Sequence, residues 1–254
     1  NGETLDKILV EAIDGDKIQE RGEKGEKLYY APNKQQPYTG WVKNIYDNGQ
    51  VKNLVHYKDG KQDGLGSVWD ENGQKRSARN FKDGKLDGLC TDWHENGQKE
   101  YEGNFKGDKP DGIAVGWYKN GQKQYERNFK YGKKVGLWSD WHENGQKEYE
   151  VRFKNGEEDE KGYSWYQNGQ LKFEGEFKNG MRDGAKTEWY ASGEKQSVTQ
   201  FNSDIKNGLE MTWRDDGQLE KNATYRKDIE SSSTRFEYFE NGQKKNEINF
   251  KDGK

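Results

Sequence analysis

Three histidines, His56, His94 and His142, are the only imidazoles in this 254-residue chain, so a base or a nitrogen metal ligand would have to come from them. His94 and His142 lie 48 residues apart, two periods of the repeat set out below. At two strands per period that separation is roughly 19 Å, too far for one ion, and both read as polar residues of a solvated face. Asp59 with Asp63, and Asp83 with Asp87, recur in Gly-rich loops along one edge and offer the oxygen ligands calcium prefers. Turn chemistry accounts for the same residues. The acidic run Glu157, Glu158, Asp159 and Glu160 reads as a solvated loop. No nucleophile elbow, phosphate loop or zinc signature occurs. The single cysteine, Cys90, excludes an intrachain disulfide framework and any Cys-based zinc site. The expectation is a protein without catalytic residues, metal or cofactor.

What the chain does carry is a periodic set of aromatics. Nine turns run from Asn48-Gly49 to Asn241-Gly242; seven of the eight spacings are 24 residues and the last is 25. Asn-Gly between strand-forming runs is the strongest short-range hairpin signal, because both residues tolerate positive φ. Three residues before the turn Asn or its substitute stand Ile45, Trp69, Trp93, Trp117, Trp141, Trp165, Trp189, Trp213 and Tyr238. Nine after that Asn stand Tyr57, Phe81, Phe105, Phe129, Phe153, Phe177, Phe201, Tyr225 and Phe250. In the middle units Tyr101, Tyr125, Tyr149 and Phe173 add a third column. The pattern predicts an all-β fold: one elongated, twisted antiparallel sheet of about nine 24-residue β-hairpin repeats.

Strand faces depend on the turn type, since a one-residue slip reverses every side chain. A two-residue loop at Asn96-Gly97 would set Trp93 and Tyr101 on opposite faces. A three-residue loop, Glu95-Asn96-Gly97 with Gly97 in the left-handed bulge position, sets Trp93 opposite Lys99, Thr91 opposite Tyr101 and Leu89 opposite Gly103. The second reading gathers Leu89, Trp93, Tyr101 and Phe105 into one apolar face and leaves Asp92, His94, Glu100, Glu102 and Asn104 solvated. It is the expectation adopted. The irregular segments are Tyr131 to Gly136, Glu157 to Gly162 and Ile229 to Ser233, and the last, which holds the extra residue, is the expected bulge or break.

Residues 1–36 fall outside the repeat, which occupies 37–254. Leu5, Ile8, Leu9, Ala12 and Ile13 follow helical spacing, with Thr4 as N-cap and Gly15 as stop, and predict a short amphipathic helix capping the first repeat. Gly15 to Lys27 reads as loose and Leu28-Tyr29-Tyr30 as an extra strand. The chain is 28% hydrophobic and 35% charged, which on its own would suggest disorder. Thirty-four aromatics and 32 glycines in register argue for a stacked repeat instead. With a net charge of -3 and both signs interleaved, no polybasic patch for nucleic acid stands out. No apolar run is long enough to span a bilayer. The chain starts at Asn1 without an initiator Met, consistent with a processed signal or anchor segment or with a cloning boundary.

Tyr101-Glu102-Gly103-Asn104-Phe105 with Gly107 and Gly112, and Phe173-Glu174-Gly175-Glu176-Phe177 with Gly180 and Gly184, resemble MORN repeats. With its Trp and Asn-Gly-Gln half, the unit is closer to the bacterial MORN variant found in proteins labelled as the YwqK family of antitoxins. The resemblance covers roughly residues 40–254 and implies an elongated sheet of hairpins in a non-catalytic scaffold for protein or lipid contacts. It also implies an exported or envelope-associated bacterial protein, with membrane contact only through a removed N-terminal anchor. The chain departs from the MORN strand glycine at Val55, Arg79, Arg127, Val151, Thr199, Ala223 and Ile248. The expected binding surface is the aromatic face: Trp69, Trp93, Trp117, Trp141, Trp165, Trp189, Trp213, Tyr101, Tyr125, Tyr149 and Phe173. Its expected occupant is a protein partner or a second copy of the chain. The alternative is a carbohydrate, cell-wall or lipid ligand stacked on the same rings.

Overall fold

The computed structural model describes residues 4–23 and 27–251. By internal contacts the chain divides into two compact units, Asn1–Gln122 with Phe129–Gly132, and Lys123–Asn128 with Lys133–Lys254. Each is an all-β meander in which strands adjacent in sequence pair antiparallel. The first contains Gly40–Ile45, Val51–Lys58, Lys61–Trp69, Lys75–Lys82, Lys85–Trp93, Lys99–Lys106 and Lys109–Trp117. The second runs in the same way from Gly136–Trp141 to Lys244–Lys251.

Two kinds of turn alternate. At the hairpin tips His94 N–H donates to Gln98 O and Gly97 N–H to His94 O, both at 2.9 Å, with Gly97 at φ +84. This is the three-residue loop expected, and it recurs at each of the nine tips. Between hairpins the reversal takes two residues, such as Asp83 (φ +51) and Gly84 (φ +81) between the paired Lys82 and Lys85. Left-handed conformation at both positions matches the twist of the flanking strands.

The N-terminal helix spans Leu5–Glu11, two residues short of the periodic pattern, and Thr4 makes no side-chain capping bond. Ala12 turns the chain into extended backbone, and Ile13–Asp14 pairs in parallel with Val42 and Lys43. The unpaired edge of Gly40–Ile45 offers backbone partners to Ile13 and Asp14, and that pairing overrides helical periodicity. Lys43 Nζ donates to Leu9 O at 2.6 Å and ties the helix to the same strand. Within the stretch read as loose, Gln19–Arg21 forms a strand paired with Leu28–Tyr30, the extra strand expected; residues 24–26 lie outside the described residues. The acidic run from Glu157 is likewise strand, within Glu157–Trp165. Tyr149 O–H donates to Glu158, and Lys154 and Arg152 face Asp159 and Glu160.

Candidate interaction face

Register decides which side chains share a face. Trp93 pairs with Lys99, as the three-residue loop requires, but the next pair is Asp92 with Tyr101 rather than Asp92 with Glu100. Glu100 is an extra residue, a β-bulge one step beyond the turn. The same step recurs at Lys52, Arg76, Glu148, Lys172, Gln196, Glu220 and Lys245. This second slip reverses everything after it. The expected grouping of Leu89 and Trp93 with Tyr101 and Phe105 is therefore corrected. Leu89, Thr91 and Trp93 share a face with Lys99, Glu102 and Asn104, while Cys90 and Asp92 share the other with Tyr101, Gly103 and Phe105. Tyr125 and Tyr149 both pair with Asp140, beside Trp141, and Phe173 pairs with Ser164, beside Trp165. The candidate residues thus fall into two sets, the tryptophans on one face and Tyr101, Tyr125, Tyr149 and Phe173 on the opposite one.

The tyrosine–phenylalanine face is the packed one. Val151 and Cys90 are fully buried there, and Tyr57, Phe153 and Phe201 nearly so. Rings lie over strand glycines: a Cβ built at Gly66 would meet Phe81 at 3.0 Å, and one at Gly175 would meet Phe173 at 2.5 Å. Where Val or Arg replaces the strand glycine, a small residue stands across the ladder or the replacement reaches past it. Val55 and Val151 face Gly66 and Gly162. Arg79 and Arg127 extend to Asp92 and Asp140, at 2.7 and 3.2 Å. In the second unit Lys221 stands in the column filled by Tyr101 in the first, and it replaces a ring with an ionic cluster. Its Nζ lies 2.6 Å from Glu230 and 3.4 Å from Glu210, and the Tyr225 hydroxyl joins at 3.0 Å. Hydrogen bonding from Lys221 holds the Glu230 carboxylate down at about 2. Against the downward pull of its own burial, the Lys221 ammonium is raised by the bonds to Glu230 and Tyr225.

The tryptophan face carries a ladder of alternating rings and ammonium groups. Lys75 Nζ sits 5.4 Å from the Trp69 ring and 5.9 Å from Trp93, and Lys99 lies 5.8 Å from Trp117. In the second unit Lys123, Lys147 and Lys195 lie over Trp141, Trp165 and Trp213 at 5.0, 5.8 and 5.6 Å. A cation over an indole face at these distances contributes about 0.5–1 kcal/mol where partly exposed. Lys99 is held in turn by Glu102 at 2.5 Å, and Lys123 by Glu126 at 2.7 Å. Beside the ladder in the first unit runs a row of aliphatic side chains that stays open to solvent: Leu65, Leu89 and Ile113 are 42, 43 and 50% exposed.

The hairpin tips stack by side-chain clamps that the sequence reading did not identify. At Tyr46, His94, His142, Tyr166 and Tyr190 the residue after the ladder position bonds forward to the next repeat. Tyr46 O–H donates to Trp69 O and Tyr166 O–H to Trp189 O, and His94 Nε2–H donates to Trp117 O, at 2.9, 2.9 and 2.8 Å. His94 and His142, expected on a solvated face, have side chains only 11 and 13% exposed and serve as clamps. His56 Nδ1–H donates to Asp63 O. Bulge residues lean back over these clamps with matched chemistry: Glu100 and Glu148 face His94 and His142, while Lys52 and Lys172 lie over Tyr46 and Tyr166. Asp59 and Asp83 take left-handed turn positions. Among the described residues no group of three or more His, Cys, Asp or Glu is placed to hold a metal ion. No helix of the described residues is long and apolar enough to cross a membrane.

Stacked hairpins with clamped tips, one packed face and one open aromatic face define a β-hairpin repeat protein. The chain belongs to the MORN repeat family: the model of the MORN repeat variant matches residues 39–59, 62–83, 86–106, 110–131, 134–155, 161–179 and 234–252, more than half of the chain. Members of this family are non-enzymatic repeat modules that bind proteins or membranes. The hairpins between 181 and 226 escape the match yet fold alike, with Ser192-Gly193 and Asp216-Gly217 at their tips. No curated protein matches the chain.

Proposed function

We propose that the chain is a non-catalytic scaffold that binds a protein partner through its tryptophan face. The observation that carries this reading is the row of Leu65, Leu89 and Ile113, left exposed in register beside Trp69, Trp93 and Trp117. Aliphatic groups so placed are only partly covered in the folded monomer and mark a surface that a partner covers. The alternating lysines favour a protein over a sugar, because an ammonium already occupies the indole faces on which a sugar ring would stack. Tyr101, Tyr125, Tyr149 and Phe173 act in this proposal as supports from the packed face. An antitoxin-like role would make the partner a toxic protein that the scaffold neutralises.

The test is affinity capture from the native source with wild-type protein, with Leu89→Asp/Ile113→Asp, and with Lys82→Glu on the connecting-turn edge as control. The double variant should fold and lose a partner that the control retains. Undiminished capture by the double variant would remove the proposal. Co-expression of the captured protein with and without the scaffold decides the antitoxin-like role by growth.

A further inference from the structure

Seven hairpin tips carry Asn-Gly, the dipeptide in which the backbone nitrogen of glycine most readily attacks the asparagine side chain. They form a matched set. In each the glycine N–H donates to the carbonyl three residues back at 2.8 to 3.0 Å, from Gly49 to Tyr46 through Gly242 to Phe239. The asparagine Oδ1 accepts from the glutamine two residues on, as in Gln98 to Asn96 at 3.1 Å and Gln243 to Asn241 at 3.0 Å.

What differs is the amide nitrogen, the leaving group of the reaction. Asn48, Asn96, Asn144 and Asn168 donate Nδ2 to carbonyls of the following repeat, Glu71, Lys119, Gln167 and Ala191, at 2.6 to 2.9 Å. Asn72 makes no such bond to the repeat that follows it; among the described residues its side chain only accepts, from Gln74 N–H within its own turn at 2.9 Å, and both its neighbours are exposed.

We propose that Asn72 is a spontaneous deamidation site that converts ahead of the four clamped asparagines. The deprotonated Gly73 nitrogen bonds to Cγ of Asn72, the Cγ–Nδ2 bond breaks and ammonia leaves, and a five-membered succinimide remains. Water opens that ring at either carbonyl, giving aspartate or an isoaspartyl linkage, so an amide is exchanged for an acid with no oxidant or reductant. In a clamped turn the same attack must first rotate Nδ2 away from the next repeat's carbonyl. Asp216 already shows the acid at this place: Gln218 N–H donates to its Oδ1 at 3.0 Å, as to the asparagines. The isoaspartyl product adds a main-chain carbon and breaks the three-residue loop, which loosens the hairpin Lys61–Trp69/Lys75–Lys82.

Full-length protein is aged in mildly alkaline buffer at body temperature, and each tip is followed by peptide mass mapping, in native buffer and in concentrated urea. In the native protein Asn72 should convert about tenfold faster than Asn96 or Asn144, the factor set by losing one hydrogen bond. In urea the rates should converge. Equal native rates, or an order that persists in urea, would overturn the assignment. Asn72→Gln should abolish the fast phase, and a fast phase surviving that substitution would also overturn it.

Discussion

Gly162 and Val151 offer a direct test of the packed face. They pair across the ladder, Val151 is fully buried, and a Cβ added at Gly162 would lie 3.0 Å from Phe177 and 3.3 Å from Val151 Cγ2. Gly162 is not in the left-handed region, so Gly162→Ala meets crowding alone. Crowding costs about 1–3 kcal/mol, and the lower entropy of the unfolded alanine chain returns about 0.4–1. A net loss of about 0.5–2 kcal/mol is expected, or a few degrees in thermal midpoint. Val151→Ala removes two methyl groups, about 1.6 kcal/mol of burial plus a cavity term. In that background Cγ2 is gone while the 3.0 Å contact to Phe177 remains, so Gly162→Ala should cost less than in the wild type. The double-mutant cycle should therefore show about 0.5–1 kcal/mol of favourable coupling, read by urea unfolding followed by tryptophan fluorescence. Strict additivity would refute the register that brings these residues together. Gly49→Ala, with nothing within 4 Å but φ at +85, is the contrasting case, destabilising through strain and uncoupled to Val151.

Three further outcomes follow from the geometry. Glu230 has its carboxylate pKa depressed from 4.5 to about 2, so its contribution to stability is present above pH 4.5 and is lost as pH falls toward 2. Lys221→Met should flatten this acid limb and lower the midpoint at neutral pH; an unchanged limb would show that the pair is inert. Asn96→Ala removes the clamp to Lys119 and should cost about 0.5–1.5 kcal/mol, whereas Asn72→Ala, with no forward bond, should cost less in the same thermal scan. Deleting Glu100 should destabilise the first unit far more than Glu100→Ala, which removes an exposed charge worth less than about 1 kcal/mol but keeps the bulge. Equal shifts would contradict the two-slip register.

The hairpins, their tips and their repeat were legible because turn chemistry is local: Asn96-Gly97 announces its loop by its own φ preferences. The faces were not, because the bulge that sets them is carried by residues as unlike as Lys52, Gln196 and Glu220, and a bulge constrains backbone length rather than residue type. Their signal is indirect. Lys99 and Glu102 are three apart, which strict alternation would place on opposite faces, yet the same opposite charges recur as Lys123 with Glu126, Lys147 with Glu150 and Lys244 with Glu247. Each is an ion pair in the structure, and each requires an extra residue between its members.

The same bulge explains the division of labour between the faces. Alternation alone would stack tryptophan, tyrosine and phenylalanine on one side of a single-layer sheet and leave the other wholly polar. The extra residue sends Tyr101 and Phe105 to the side of Cys90 and Gly103, where rings pack over small strand residues. It leaves Trp93 on the other side with Lys99 as neighbour. One face then packs without help from outside the sheet. The other can keep Leu65, Leu89 and Ile113 exposed without endangering the fold, which is the condition a binding surface on a thin repeat protein has to meet.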